Sequence, residues 1–357
     1  MFRVLIAEKE GEGMISERRS AILDLIINHY LRTGEPMGSK TLCHLLPYSV
    51  SSATIRNEMA YLSELGFLEQ RHTSGGRVPS KASYRYYVDN LMTEQEISDY
   101  DRQRINDTLS VNSGDPERLL ADAARLLAEH THCASFYCTL EDPADCIQGV
   151  DLIPAGNSKA MLVMLTTGSK IKSSLINMPC AIDDEFRFVF YNVINRFFIG
   201  TPLADVNLTL IQGAAGVAME RIFDLLPALT SLCSLCAEAL ESKLVLENET
   251  NLLSHTELGS EVYRLLSFLT EREQLISLIK SFSESQTSRA LFIGDENPIY
   301  EMKNTATVIS KYTYGNNQKA AVGIVGSMRI DYSTIIPKVR YITDTVERLL
   351  SKEAQYE

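Results

Sequence analysis

In the stretch VSSATIRNEMAYLSELGFLEQ, Ala53, Thr54, Arg56 and Asn57 form a set of side chains suited to reading base-pair edges. A guanidinium matches guanine, an amide matches adenine, and an Ala or Thr methyl can touch the thymine methyl. Ile55, Met59, Leu62 and Leu65 recur at helical spacing, so the stretch is predicted to be a helix with one apolar face. Ser51 or Ser52 caps it and Gly66 stops it. At roughly 100° per residue, Ala53, Asn57 and Ala60 lie opposite Ile55, with Thr54 and Arg56 on the flanks. These residue types also populate ordinary solvated helix faces, so the neighbouring elements decide between the two readings.

Those neighbours suit a helix-turn-helix. Residues 16–33 read as a first helix, with Ser16 as cap and Ile22, Leu25, Ile26 and Tyr30 at helical spacing; Gly34 ends it and Pro36 prevents continuation. A short second helix, SKTLCHLL, has Ser39 as candidate cap and Pro47 beyond its end. After the third helix, Phe67–Arg71 and Arg77–Pro79 flank His72, Thr73, Ser74, Gly75 and Gly76, the pattern of a β-hairpin. A hairpin directly behind a helix-turn-helix is a wing, and a Gly-Gly tip between Arg71 and Arg77 can approach a phosphate backbone or minor groove. The residues expected to contact DNA are Lys40, Ser51, Ser52, Ala53, Thr54, Arg56 and Asn57, with Arg71, His72, Thr73, Ser74, Gly75, Gly76 and Arg77 of the wing. Ser80 caps a further helix, whose Tyr84, Tyr86 and Tyr87 are expected to pack rather than to stack on bases.

Charge placement agrees with this reading. The chain has 357 residues and net charge −12, yet positions 18–87 hold nine Lys/Arg against five acids. The N-terminal module is thus +4 and the remainder −16, a basic reader on an acidic body. The length implies two or three domains. No signal peptide and no charge-free apolar span is read, so a cytoplasmic protein without a membrane partner is expected. Seven scattered cysteines do not form a secreted disulfide framework.

Other chemistry is weaker. His130, His132, Cys133 and Cys138 match no paired zinc spacing, and Cys233 and Cys236 lie among leucines with no basic neighbour. The cysteines of both groups are expected to be buried core residues. Asp295 and Glu296, with Asp331 later, could form a carboxylate site, but no phosphate loop, GxSxG elbow or HExxH accompanies them. An enzyme is not expected, nor a cofactor or metal.

Residues 94–115 are polar and read as a linker-like connection, followed by a helical patch from Leu119 to Leu127. CASFYCTL, IQGVDLIP, KAMLVMLTT and KIKSSLINMP read as strands, as do RALFIGDEN, TATVISKYTY and KAAVGIVGSM, before a helix VRYITDTVERLL. Strands split around a helical middle, about 182–242, suggest an α+β domain with an insertion. The density of apolar residues in that middle favours self-association, and two-fold symmetry would suit an inverted-repeat site.

The runs GEPMGSKTL (34–42), VSSATIRNEMAYLSELGFLEQRHTSGGRVPS (50–80) and YRYYVD (84–89) resemble the N-terminal part of the HrcA family of bacterial heat-inducible transcription repressors. NLLSHTEL (251–258), IGDEN (293–297) and AVGIVGSMRIDYSTIIPKVRYI (321–342) resemble its C-terminal blocks. The resemblance implies a winged helix-turn-helix at 14–93, a linker at 94–115, a GAF-like α+β domain at 116–181 and 243–350, and a mainly helical dimerising insertion at 182–242. It implies repression of chaperone operons through an inverted-repeat operator, CIRCE, by a homodimer whose active form the GroEL chaperonin supports. GAF-like domains often bind small molecules, so the alternative is a winged-helix regulator that senses a ligand. The chain departs from the family's usual Gly-Pro and Arg-Met-Asp-Tyr runs at Gly326-Ser327 and Met328-Arg329-Ile330-Asp331-Tyr332, and from Ala-Gly at Gly75-Gly76. Residues 1–13 read as an extension or an early start.

Overall fold

The computed structural model describes residues 15–70, 76–156, 158–218, 221–315 and 317–353. The described residues divide into two compact units, the first drawn from 15–138, 244–312 and 321–352 and the second from 139–243 and 313–320.

The first unit opens with three helices, α1 (Glu17–Thr33), α2 (Ser39–Leu45) and α3 (Ser52–Glu64). Ile22, Leu23, Ile26, Ile27 and Tyr30 of α1 are buried. The helix stops at Gly34, whose φ of 72° lets its N–H return to the Tyr30 carbonyl at 2.8 Å. The Arg329 guanidinium lies against Gly34 where a Cβ would stand, and would have to shift aside for one, but it is the positive φ that calls for glycine here. The cap position of α2 is Gly38, and Ser39 instead begins the helix. Strands β1 (Leu68–Glu69) and β2 (Val78–Pro79) then pair antiparallel, with Leu68 opposite Pro79.

Helix α4 (Lys81–Tyr86) follows at once and runs into a π-helical turn at Tyr87–Leu91. Much of the stretch read as a linker is helical: α5 (Asp99–Val111) is capped by Ser98 and buries only Ile105 and Leu109, which is why its polar sequence hides it. Helix α6 (Pro116–Thr131) has Asp115 as cap and proline in its first turn, and its face from Leu119 to Ala128 is buried.

Strands β3 (Ala134–Thr139), β7 (Lys243–Glu247), β8 (Arg289–Ile293), β9 (Thr305–Tyr314) and β10 (Gln318–Ser327) form a five-stranded sheet in the order β7-β3-β10-β9-β8. Central β10 reads as a nearly continuous buried run. Helices α10 (Glu261–Glu271), α11 (Glu273–Ser283) and α12 (Tyr332–Glu353) complete this unit. The last helix begins at Tyr332, earlier than the sequence pattern suggests, and accommodates Pro337 inside it.

In the second unit, β4 (Ile147–Pro154), β5 (Lys159–Thr166) and β6 (Ile171–Asn177) form an antiparallel meander. One sheet face, with Leu152, Leu162, Met164 and Ile176, shares a core with α7 (Asp184–Phe197), α8 (Leu208–Ala218) and α9 (Ile222–Leu240). Among the described residues, α9 is the one helix long and apolar enough to cross a membrane by length and composition. It carries Asp224 and Glu238 and buries Leu225, Ala228, Leu229, Leu232, Leu235, Cys236 and Ala239 in this core. The Cys236 sulfur lies 3.5 Å from that of Met164, and burial pushes its thiol up to about 12, as a packing cysteine requires.

Candidate nucleic-acid interface

Helix α3 presents the residues that could read DNA. Ile55, Met59 and Leu62 face inward, while Ala53, Arg56 and Asn57 are exposed and Thr54 and Ala60 are half-buried. The Ser51 hydroxyl accepts the Thr54 N–H at 3.0 Å and lies 2.8 Å from the Thr54 hydroxyl. Ser51 and Thr54 thus build the helix N-terminus, where free N–H groups favour an anion such as phosphate. The Ser52 hydroxyl lies 3.0 Å from that of Ser39, which joins α3 to the start of α2, and Lys40 stands exposed beside it.

The hairpin base is anchored to this group of helices. Met37 and Arg77 exchange both backbone hydrogen bonds, at 3.0 and 2.9 Å. A Cβ on Gly76 would lie 2.5 Å from the Met37 carbonyl oxygen, so glycine permits this approach. The Arg77 guanidinium donates to Gln70 across the ladder. Arg71, His72, Thr73, Ser74 and Gly75, the expected wing tip, lie outside the described residues.

Two parts of the apolar pattern are corrected. Leu65 is 45% exposed, because the helix ends at Glu64 and the inward face does not extend to it. Glu58 occupies an inward position instead, with only 6% of its surface exposed. Its carboxylate accepts from Arg18 and, at 2.7 Å, from Arg19, both in the first turn of α1. Arg19 also sits 3.7 Å from the ring centre of Tyr61. Sequence reasoning missed this cluster, although an acid inside an apolar stripe that faces an Arg-Arg pair was a usable signal.

A polar chain fixes α1 to the turn after α4. Asn28 donates to Asp24 at 2.9 Å and accepts from the Tyr87 hydroxyl at 3.0 Å. Burial, then the charge of Asp24, pushes the Tyr87 phenol up to about 12. Tyr84 and Tyr87 are buried and Tyr86 packs on Phe67 with ring centres 5.0 Å apart, so the tyrosines serve packing. Asp295 and Glu296, considered as a carboxylate site, are engaged in ion pairs with Lys81 and Arg85.

A second polar cluster involves the C-terminal motifs. Glu257 accepts from the Ser327 hydroxyl and lies 3.6 Å from His255 and 3.8 Å from Arg329. Burial alone would raise the Glu257 carboxyl, but His255, Ser327 and Arg329 hold it near 2. His255, beside Cys133 and Glu257, is pushed up to about 10 despite its burial. The departure from Gly-Pro at Ser327 thus supplies a hydroxyl that a proline lacks.

Comparison with known proteins places the chain among transcription repressors. A family model described as HrcA protein C terminal domain matches residues 117–336. The heat-inducible transcription repressor HrcA of Acetivibrio thermocellus is 31% identical over 345 residues, covering 95% of this chain and 98% of the relative. That of Lachnoclostridium phytofermentans is 30% identical, covering 95% and 99%. The chain belongs to the HrcA family, which is a family of transcription repressors and not a class of enzymes. A crystal structure of a hypothetical protein has a similar fold, with a TM-score of 0.67 at 22% identity, covering 95% of this chain and 99% of that one.

Proposed function

We propose that this chain represses heat-shock chaperone operons by binding an inverted-repeat CIRCE operator as a homodimer in the cytoplasm, with its active form supported by GroEL. The reading assigns residues 14–93 to a winged helix-turn-helix, with α3 in the major groove and the wing at the backbone or minor groove. It assigns residues 116–181 and 243–350 to a GAF-like domain, and residues 182–242 to self-association.

The observation that carries the proposal is the exposed ridge of Ala53, Arg56 and Asn57 beside a capped helix N-terminus, in a chain of this family. Arg56 and Asn57 would contact bases and nearby phosphates, and Lys40, Ser51, Ser52 and Thr54 would hold the backbone at the helix start. Support for self-association comes from large apolar side chains within 182–242, including Phe188 (74% exposed), Leu208 (68%) and Phe223 (77%).

The test is binding of the full chain to a CIRCE duplex and to a scrambled duplex over a salt series, with and without GroEL. The proposal expects selective binding to the repeat that GroEL raises and that weakens with salt. Arg56→Ala should lose roughly 1–3 kcal/mol and relax specificity. Equal weak binding to both duplexes would overturn the operator assignment.

A further inference from the structure

Helix α4 is rigidly joined to the end of α3. The Ser80 hydroxyl donates to the Gly66 carbonyl at 2.6 Å, the Ser80 N–H donates to the Phe67 carbonyl at 3.0 Å, and the Ser83 hydroxyl also reaches Phe67. Gly66 and Phe67 directly follow α3, so the direction of α4 and that of the reading helix are set together.

The outer side of α4 meets the turn after β8. Arg85 binds Glu296 at two points, Nε to Oε1 at 2.8 Å and Nη2 to Oε2 at 2.6 Å, and donates to the Leu291 carbonyl at 2.7 Å. Lys81 binds Asp295 at 2.8 Å and the Lys303 carbonyl at 3.1 Å. The turn itself is braced, because Glu296 accepts from the Ile293 N–H at 2.8 Å and Asn297 donates to the Gly294 and Thr305 carbonyls at 3.0 and 3.1 Å. Gly294, with φ of 60°, allows the close seat, since a Cβ there would meet Met328 and Lys81 within about 3.0 Å.

This is not an ordinary surface pair. The Arg85 and Glu296 side chains are only 18% and 16% exposed. Two-point guanidinium–carboxylate geometry is directional as well as strong, so it sets an angle and not only a contact. Burial works against the Arg85 charge, yet Glu296 and then Asp89 more than offset it and raise its pKa. The covalent link, residues 92–98, forms no helix or strand. It is fastened to α12, where Arg340 binds Glu94 at 2.7 and 2.8 Å and the Gln95 N–H donates to the Ser333 carbonyl at 3.0 Å, so the Arg85 and Lys81 contacts are the ones made by α4 itself.

We propose that Arg85 and Lys81, seated on Asp295 and Glu296, are positioning residues for operator recognition: they fix the angle of α3 to the body and so set the half-site spacing the dimer accepts. The proposal rests on the reading of α3 as the DNA-reading helix. None of the four residues touches DNA in this scheme; they act through the orientation of α3. A two-fold reader with a fixed angle accepts one centre-to-centre distance between half-sites, and one with a free angle accepts several.

The test uses the full chain and inverted-repeat duplexes whose spacer is lengthened or shortened one base pair at a time. The wild type should show one preferred spacer. Glu296→Gln should lose roughly tenfold of that preference, equivalent to about 1.4 kcal/mol. Its salt dependence should not change, because no phosphate contact is removed. Hydrogen exchange across 81–91 should rise in Glu296→Gln, because α4 loses its two-point hold on the turn after β8. If Glu296→Gln does not fold, Arg85→Lys keeps the charge without the two-point geometry and should broaden the preference in the same way.

A wild type with a clear spacer optimum, and folded variants that keep it, would overturn the positioning role and leave the DNA reading intact. A wild type that prefers no repeat over a scrambled duplex would overturn the DNA reading and the positioning role together.

Discussion

Glu58 offers a direct test of how α3 is held. Its carboxylate is nearly out of water and bound by two arginines from α1, one of which also covers Tyr61. Removing one partner of a fully buried ion pair costs roughly 3–5 kcal/mol, mostly because the other charge is stranded. Here the stranded groups can recover water, since the Arg18 and Arg19 side chains are 50% and 29% exposed. Glu58→Ala should therefore cost less, about 1–3 kcal/mol including the small void left by the side chain. At about 2–4 °C per kcal/mol for a body of this size, calorimetry should show a clear fall in the melting temperature. Discrimination between operator and scrambled duplex should fall as well, because α3 loses its tie to α1. Arg19→Ala should have a smaller effect of the same kind. A Glu58→Ala protein that melts within about 1 °C of wild type and keeps full discrimination would refute the reasoning, for the cluster would then hold nothing in place.

Three further outcomes are expected. Glu257 is held near 2 against an ordinary 4.5, so its contribution to stability is present above pH 4.5 and is lost as pH falls towards 2. His255 is raised from 6.5 to about 10, so its contribution is full below pH 6.5 and is lost as pH rises towards 10. Melting temperature against pH should thus be highest between these limits, and His255→Gln should flatten the alkaline side. Gly76→Ala drives a Cβ against the Met37 carbonyl and should cost about 1–3 kcal/mol, seen as a lower melting temperature, because a backbone bridge cannot step aside. Leu229→Ala, fully buried on α9, should destabilise by about 2–5 kcal/mol, measured by denaturant unfolding followed through a probe in the second unit.

The local architecture of the N-terminal helices is legible in the sequence because its signals are local. Ser51 and Ser80 accept the N–H groups of residues three positions ahead, and Gly34 and Gly66 take the positive φ that ends a helix. Ile55, Met59 and Leu62 mark the inner face of α3 and thereby expose Ala53, Arg56 and Asn57. What fails is extrapolation past the helix end, at Leu65, and the assumption that an inward position is apolar, at Glu58. Helix α5 is hard to read because two buried residues in thirteen give almost no periodicity. Strand partners are not legible either. CASFYCTL and IQGVDLIP look alike as strands, yet β3 pairs in the five-stranded sheet and β4 in the three-stranded one, a choice made by distant partners.

The runs that carry the family resemblance are scattered along the chain, and the structure gives them a physical reason to belong together. Gly34, in GEPMGSKTL, lies under the Arg329 guanidinium of the last run. Arg329 and Ser327 converge on Glu257 of NLLSHTEL. Arg85, in YRYYVD, binds Glu296 of IGDEN, 211 residues away. Tyr84, beside it, packs on Tyr332 with ring centres 6.1 Å apart. These contacts form a seam that joins the helices carrying Arg56 and Asn57 to the five-stranded sheet. An ion pair on such a seam adds modest stability for its desolvation cost, but its geometry is directional. The seam is therefore better suited to fixing the angle of α3 than to supplying net stability. A change at Glu296 leaves the buried Arg85 charge without its main partner, so it should lower the melting temperature as well. What should set it apart from a change at Leu229 is an accompanying change in which DNA is preferred.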